Sequence, residues 1–198
     1  MKRLLNLLSA AVLALLWLVC ALSEPPRVVA SLLISVLLHE AGHVIAIRLA
    51  RLPLRGVLLL PFGAMLDTGT RLCSYPAECA VYLSGPMASF ICAAVAAFGA
   101  DAEVGNVAFY VEMLSLGLGC FNLIPLPGLD GAGALRSLLL YFMPDMCAAE
   151  RAARVVEAVL ALLFWLVCGT LWLAFDVGAY PLLLSVFFLL RIFADKRG

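Results

Sequence analysis

Long apolar runs, separated by short polar segments that contain glycine and proline, dominate this chain. A helix needs about 20 mostly apolar residues to cross a bilayer, and six stretches reach or approach that length. They are Leu4–Leu22, Val28–Ala50, Pro76–Gly99, Val104–Ile124, Arg154–Ala174 and Ala179–Phe193. The pattern predicts an all-α polytopic membrane protein with about six transmembrane helices, of which the last is short.

Two further apolar segments are too short to span a bilayer. Gly56–Asp67 contains Pro61 and two glycines, which are poor helix residues, and its flanks favour β structure. We expect a short membrane-associated β-hairpin there, after the second span, with an irregular interfacial loop as the alternative. Leu129–Phe142 is expected to be a half-helix or an extension of the fourth span.

Composition supports a membrane protein and argues against a nucleic-acid partner. Hydrophobic residues make up 65% of the 198 residues, charged residues 13%, and the mean hydropathy is +1.10. Soluble domains carry about 25% charged residues. The net charge is zero, without the basic excess that nucleic-acid binding requires.

The basic residues predict an orientation. With Met1 in the cytosol, 12 of the 13 Lys and Arg residues lie in inside segments or at inside helix ends, and only Arg27 lies outside. The positive-inside rule then places both termini in the cytosol. The first span could instead be a signal peptide cleaved near Ala21, but its apolar run is longer than the usual 7–15 residues of a signal core.

The second span contains His39-Glu40-Ala41-Gly42-His43, an H-E-x-x-H pattern. Histidines four apart share one helical face, so both imidazoles can reach one Zn²⁺, and Glu40 can act as general base towards water. The alternative is that both histidines are structural core residues whose ring nitrogens are hydrogen-bonded. Ionisable residues inside a membrane span are costly and usually functional, and these are the only two histidines of the chain. We therefore favour a metal site.

Catalytic zinc generally takes three protein ligands, and the third is expected to be a carboxylate. Asp130 is the best candidate because Pro125, Pro127 and Gly128 break the fourth span just before it. Broken helices at membrane depth occur only against protein or a wet cavity. The alternative role for Asp130 is an ordinary helix N-cap.

Asn122 and three glycines near these motifs are further candidates for a functional role. Asn122 could donate a hydrogen bond to a substrate carbonyl, or could bond a neighbouring helix. Gly42, Gly85 and Gly131 could keep a water path open to His39.

Three motifs resemble the site-2 protease family of intramembrane metalloproteases. They are His39-Glu40-x-x-His43, Ser84-Gly85-Pro86, and Asn122-x-x-Pro125 followed by Asp130-Gly131. The resemblance covers about Val28–Phe142. It implies one transmembrane protease domain over residues 1–198 with its catalytic core at about 28–142. It also implies site roles, namely one zinc held by His39, His43 and Asp130, Glu40 activating water, and substrate contacts at Asn122, Pro125 and Gly63.

The resemblance is closest to the branch that processes pro-sigma factors in spore formation. It implies a multi-pass protein of the bacterial cell membrane that cuts a membrane-tethered substrate, such as a pro-sigma or anti-sigma factor, in or near its transmembrane segment. An inhibitory membrane partner or self-association is left open, and no PDZ or nucleotide-sensing domain is expected. Ala132 departs from the family pattern, which often has glycine there.

Two alternatives from other classes are a helix-binding pseudoprotease and a small metal transporter. Retention of Glu40 argues against the first. A transporter would predict inverted repeats with paired broken helices, whereas only one broken segment is evident in the sequence.

Overall fold

The structure is a computed structural model that describes residues 22–51, 56–60, 63–67, 74–99, 105–175 and 180–195. Apart from Leu22, the predicted first span lies outside these ranges, and so does the alternative of a signal cleavage site near Ala21. The chain divides into two compact units, residues 1–121 and 122–198, which are described one at a time.

Helix α1 of the first unit runs from Pro26 to Leu49. Pro26 stands in its first turn, where a missing N–H is tolerated. The buried face of α1 is partly polar and consists of Ser31, Ser35, His39, His43 and Ile47. Large apolar side chains such as Leu37 and Ile45 are exposed instead. A polar interior face and an apolar outer face are typical of a helix that packs inside a membrane bundle.

Two more helices follow among the described residues, α2 from Tyr75 to Gly99 and α3 from Val107 to Asn122, the last residue of which is the first of the second unit. Helix α2 runs antiparallel to α1, since His39 meets Ser89 whereas His43 meets the earlier residue Val81. Helix α3 is tied to α1 by a buried hydrogen bond of 2.8 Å from the Ser115 hydroxyl to that of Ser35.

Between α1 and α2 lie two strands, β1 from Gly56 to Leu60 and β2 from Gly63 to Asp67. They pair antiparallel, with Gly56 opposite Asp67 and Leu60 opposite Gly63. The pairing therefore covers the segment in which the sequence predicts a hairpin, and it places Gly63 at the first position of β2.

The second unit contains α4 from Asp130 to Phe142, α5 from Met146 to Phe175 and α6 from Tyr180 to Asp195. Arg136 of α4 forms a salt bridge of 2.5 Å with Glu150 of α5. Phe164 and Phe188 pack edge to face between α5 and α6, with ring centroids 5.9 Å apart.

Three of the six predicted transmembrane helices are confirmed among the described residues. Three of their helices are long and apolar enough to cross a membrane, namely Pro26–Leu49, Tyr75–Phe98 and Met146–Phe175. These three make the chain an integral membrane protein. The fourth and sixth predicted spans correspond to α3 and α6, which have only 16 residues each. At 1.5 Å per residue each is about 24 Å long, shorter than the roughly 30 Å hydrocarbon core.

Local chemistry explains where the predicted boundaries differ. Helix α3 starts late because Gly105 has a φ of +98° and the Asn106 carboxamide oxygen accepts a hydrogen bond from the Phe109 N–H. Helix α5 starts eight residues before the predicted Arg154, because the Asp145 carboxylate accepts hydrogen bonds from the first backbone N–H groups of the helix. Residues 130–142 form a helix of their own rather than an extension of the fourth span.

Candidate metal centre

The two histidines of the H-E-x-x-H motif lie one turn apart on the buried face of α1. Their side chains are 4% and 5% exposed. The ring centroids of His39 and His43 are 5.1 Å apart, with an angle of 77° between the ring planes. Burying two imidazoles is costly unless their ring nitrogens have hydrogen-bond partners.

Helix α2 supplies a partner for the Nδ1 atom of each ring. The Nδ1 atom of His43 lies 2.8 Å from the backbone carbonyl of Val81, and that of His39 lies 2.8 Å from the Ser89 hydroxyl. A carbonyl oxygen can only accept, so His43 carries its hydrogen on Nδ1 in this contact. In the neutral ring the lone pair is then on Nε2, the arrangement that metal-binding histidines commonly show.

Both Nε2 atoms face the same residue of α2, Gly85. A Cβ atom built on Gly85 would collide with Nε2 of His43 and would lie only 2.8 Å from Nε2 of His39. The two nitrogens therefore converge above a backbone that carries no side chain. This explains the glycine of the Ser84-Gly85-Pro86 motif, since only glycine leaves space for both rings.

Gly42 and Gly85 lie against neighbouring atoms and leave no room for a side chain. A Cβ on Gly42 would meet the Ser84 carbonyl oxygen at 2.5 Å and the Ala88 Cβ at 2.7 Å. Atoms of α2 therefore occupy the space that a side chain at residue 42 would need. Gly85 is covered by the imidazoles themselves. The role of these glycines is close helix packing. Glu40, next to His39, is half-buried.

In the second unit, the segment between Asn122 and Asp130 is an irregular connection into α4. Asn122 is 6% exposed, and Leu126 is fully buried. Pro125 is half-buried. Gly128 has a φ of +94°, a backbone conformation that side chains disfavour, and it lets the chain turn into the helix.

Asp130 is the first helical residue of α4 and not its N-cap. Leu129 occupies the N-cap position in an extended conformation, without a side-chain capping hydrogen bond. The ordinary capping role considered for Asp130 is therefore wrong. Gly131, next to it, packs closely on the backbone of Leu123 and Ile124, which anchors the start of α4 to the preceding connection.

The predicted ligands His39 and His43 lie together in the first unit, and Asp130, the third predicted ligand, begins α4 of the second unit. Two imidazoles and one carboxylate are a donor set that catalytic zinc takes. The arrangement of α1 and α2 fits such an ion independently, because two buried Nε2 atoms converge while each Nδ1 atom has a partner.

Sequence reasoning missed the residues that support the histidines. Ser89 and the Val81 carbonyl contact the imidazoles, yet neither belongs to the H-E-x-x-H motif or to Ser84-Gly85-Pro86. A usable signal was present for Ser89, because it follows Gly85 by four residues and so shares its helical face.

Known proteins resemble this chain in sequence and in fold. Residues 27–105, which include both histidines and Gly85, match the model of Peptidase family M50. Rip3 of Mycobacterium tuberculosis, which is named as a zinc metalloprotease, is 33% identical over 164 residues, covering 73% of this chain and 41% of that protein. A zinc metalloprotease of Methanocaldococcus jannaschii is 32% identical over 144 residues, covering 68% of this chain and 41% of that protein.

The chain thus spans about two fifths of the length of these relatives. Among solved structures, a site-2 protease from Methanocaldococcus jannaschii superposes with a TM-score of 0.65 at 24% identity, covering 98% of this chain and 88% of that one. This likeness shows that the two chains share a fold.

Proposed function

We propose that this chain, which belongs to the site-2 protease family, is a zinc-dependent intramembrane endopeptidase. Its substrate is a membrane-tethered protein, cut in or near a transmembrane segment. The observation that carries the proposal is the convergence of the His39 and His43 Nε2 atoms above Gly85, inside a helix long enough to cross a membrane. A buried pair of imidazoles prepared in this way has an obvious use as two ligands of one ion.

Asp130 is proposed as the third ligand. It stands at the start of a helix, where Gly128 lets the chain turn, and it makes no N-cap. A carboxylate at this position would complete the two-histidine donor set and leave a coordination position for water or substrate. Zinc, when bound, acts as a Lewis acid that activates water and polarises the scissile carbonyl.

Glu40 is proposed as the general base. It is adjacent to His39 on α1 and half-buried, so its carboxylate can take a proton from the attacking water and later return it to the leaving amine. A carboxylate in a membrane helix is costly to keep, which supports a role in the reaction.

Substrate binding is proposed to involve Asn122, Pro125 and Gly63. Asn122 is buried at the end of α3, where its carboxamide could donate a hydrogen bond to a substrate carbonyl. Gly63 begins β2, and strands β1 and β2 form a two-stranded sheet that an extended peptide could join by strand addition. Such pairing would replace the hydrogen bonds that a substrate helix loses on unwinding.

The sequence supports a proposal for the orientation in the membrane, and the family resemblance supports one for the substrate class. With both termini in the cytosol, 12 of the 13 basic residues obey the positive-inside rule, and cleavage would occur near the cytosolic face. A tethered pro-sigma or anti-sigma factor is the substrate class that the resemblance to the spore-formation branch suggests.

The test is co-expression of the full chain with single-span reporter proteins built on a pro-sigma factor and on an anti-sigma factor. Wild type is compared with Glu40→Gln and with the matched control Glu112→Gln, which neutralises a half-buried glutamate of α3. We expect wild type and Glu112→Gln to release a soluble fragment, and Glu40→Gln to release none.

Two outcomes would overturn the proposal. If wild type co-purifies with the reporters but cuts none of them, the chain is a helix-binding protein. If it cuts none and instead changes zinc accumulation in the cells, it is a transporter.

A further inference from the structure

We propose that Ser89 is a positioning residue for the metal ligand His39, holding its ring so that Nε2 faces the ion. The inference rests on the proposed zinc site. Ser89 lies on α2, 50 residues after His39 in the sequence. Its hydroxyl oxygen is 2.8 Å from the His39 Nδ1 atom.

The contact is sealed from solvent. Ser89 is 0% exposed and His39 is 4% exposed. If the hydroxyl were removed, the buried Nδ1 atom would lose a partner that water could not readily replace. The loss of a hydrogen-bond partner is costly for a buried polar atom. The ring would then gain from turning towards another partner, which would redirect Nε2.

The two histidines are supported in different ways. His43 donates to the Val81 carbonyl, an acceptor that belongs to the backbone and can impose only one tautomer. His39 meets a hydroxyl, which can donate or accept. When Nε2 of His39 binds a metal, Nδ1 carries the hydrogen and donates it to Ser89. Ser89 is therefore compatible with the ring before and after metal binding, and its hydroxyl is a side-chain support that mutation can remove.

The size of the effect can be anticipated. Outer-shell partners of metal-binding histidines fix the ring orientation and tautomer, and their loss typically lowers metal affinity by about 10- to 100-fold. Ser115 offers a matched control, because it is also a 0% exposed serine with two hydrogen bonds, to Ser35 and Cys92, on a neighbouring helix.

The experiment measures the zinc affinity of the purified full chain by competition with a chelator of known affinity. Ser89→Ala and the nearly isosteric Ser89→Cys are expected to bind zinc about 10- to 100-fold more weakly. Ser115→Ala should stay within about twofold of wild type because it contacts neither imidazole. Cysteine covers the case in which the smaller alanine variant does not fold.

A second readout separates positioning from general packing. The chain has two histidines, so ¹⁵N-histidine labelling yields the ring signals of His39 and His43 alone. In zinc-loaded Ser89→Ala or Ser89→Cys, the ¹⁵N signals of one ring, that of His39, should shift. The signals of the His43 ring should stay as in wild type.

Wild-type zinc affinity in Ser89→Ala would overturn the inference, as would an equal loss in Ser115→Ala. If wild type itself bound no zinc, the proposed function would fail as well, and that result is distinct from the first two.

Discussion

The backbone of Gly85 lies directly against the Nε2 atom of His43, so that a methyl group at residue 85 would overlap the imidazole. The Nε2 atom of His39 approaches the same point at 2.8 Å. One glycine on α2 thus sets how both imidazoles of α1 are directed, which links a helix-packing motif to the donor atoms of the metal site.

Replacement of Gly85 by alanine is expected to weaken zinc binding by at least about 10-fold, as for other changes that misorient a ligand. The added methyl group would force the His43 ring away from its position. Zinc affinity of the purified variant, measured by chelator competition, checks this.

Gly117→Ala is the control for this substitution. Gly117 also lies in a helix, but a Cβ there would meet nothing within 4 Å, so zinc affinity should not change. Equal zinc affinity in Gly85→Ala and Gly117→Ala would contradict the role given to Gly85.

Gly42→Ala should destabilise the protein through helix packing. Its new methyl group would meet the Ser84 carbonyl oxygen at 2.5 Å and the Ala88 Cβ at 2.7 Å, and overpacking of this kind typically costs about 1–3 kcal/mol. Unfolding in detergent micelles measures the change, with Gly169→Ala, whose Cβ would make only an ordinary contact, as the control. An unchanged stability would show that α1 and α2 pack less closely than described.

Asp130→Ala is expected to remove most of the zinc, because two protein ligands are too few for a stable catalytic site. Asp145→Ala is the comparison within the same unit. It removes a carboxylate that accepts hydrogen bonds from the first backbone N–H groups of α5, and the loss of such a cap costs about 1 kcal/mol in stability. Metal analysis should therefore show a loss of zinc in Asp130→Ala and not in Asp145→Ala. Thermal unfolding should show the loss of the helix cap in Asp145→Ala. Full zinc content in Asp130→Ala would exclude it as a ligand.

The metal-binding face of α1 could be predicted from sequence because it depends on one helix alone. The spacing of His39 and His43 places them on one face whatever surrounds them. The break before α4 could likewise be predicted, since Pro125, Pro127 and Gly128 act locally on the backbone.

The supports of the imidazoles could not be predicted, because they depend on which face of α2 meets α1. The backbone carbonyl of Val81 has no sequence signal at all, since every residue has one. The predicted starts of α3 and α5 differ from the observed ones for another reason. An apolar run shows where a helix is hydrophobic but not where it is capped, so it carries no signal for the effects of Asn106 and Asp145 on these two helix starts.

The most direct test of the central claim is the zinc content of the purified full chain, measured for wild type, Glu40→Gln and His43→Ala. The account predicts about one zinc per chain in wild type and in Glu40→Gln, because Glu40 acts as base and not as ligand, and almost none in His43→Ala. A folded wild-type protein without zinc, or a His43→Ala variant with as much zinc as wild type, would contradict it.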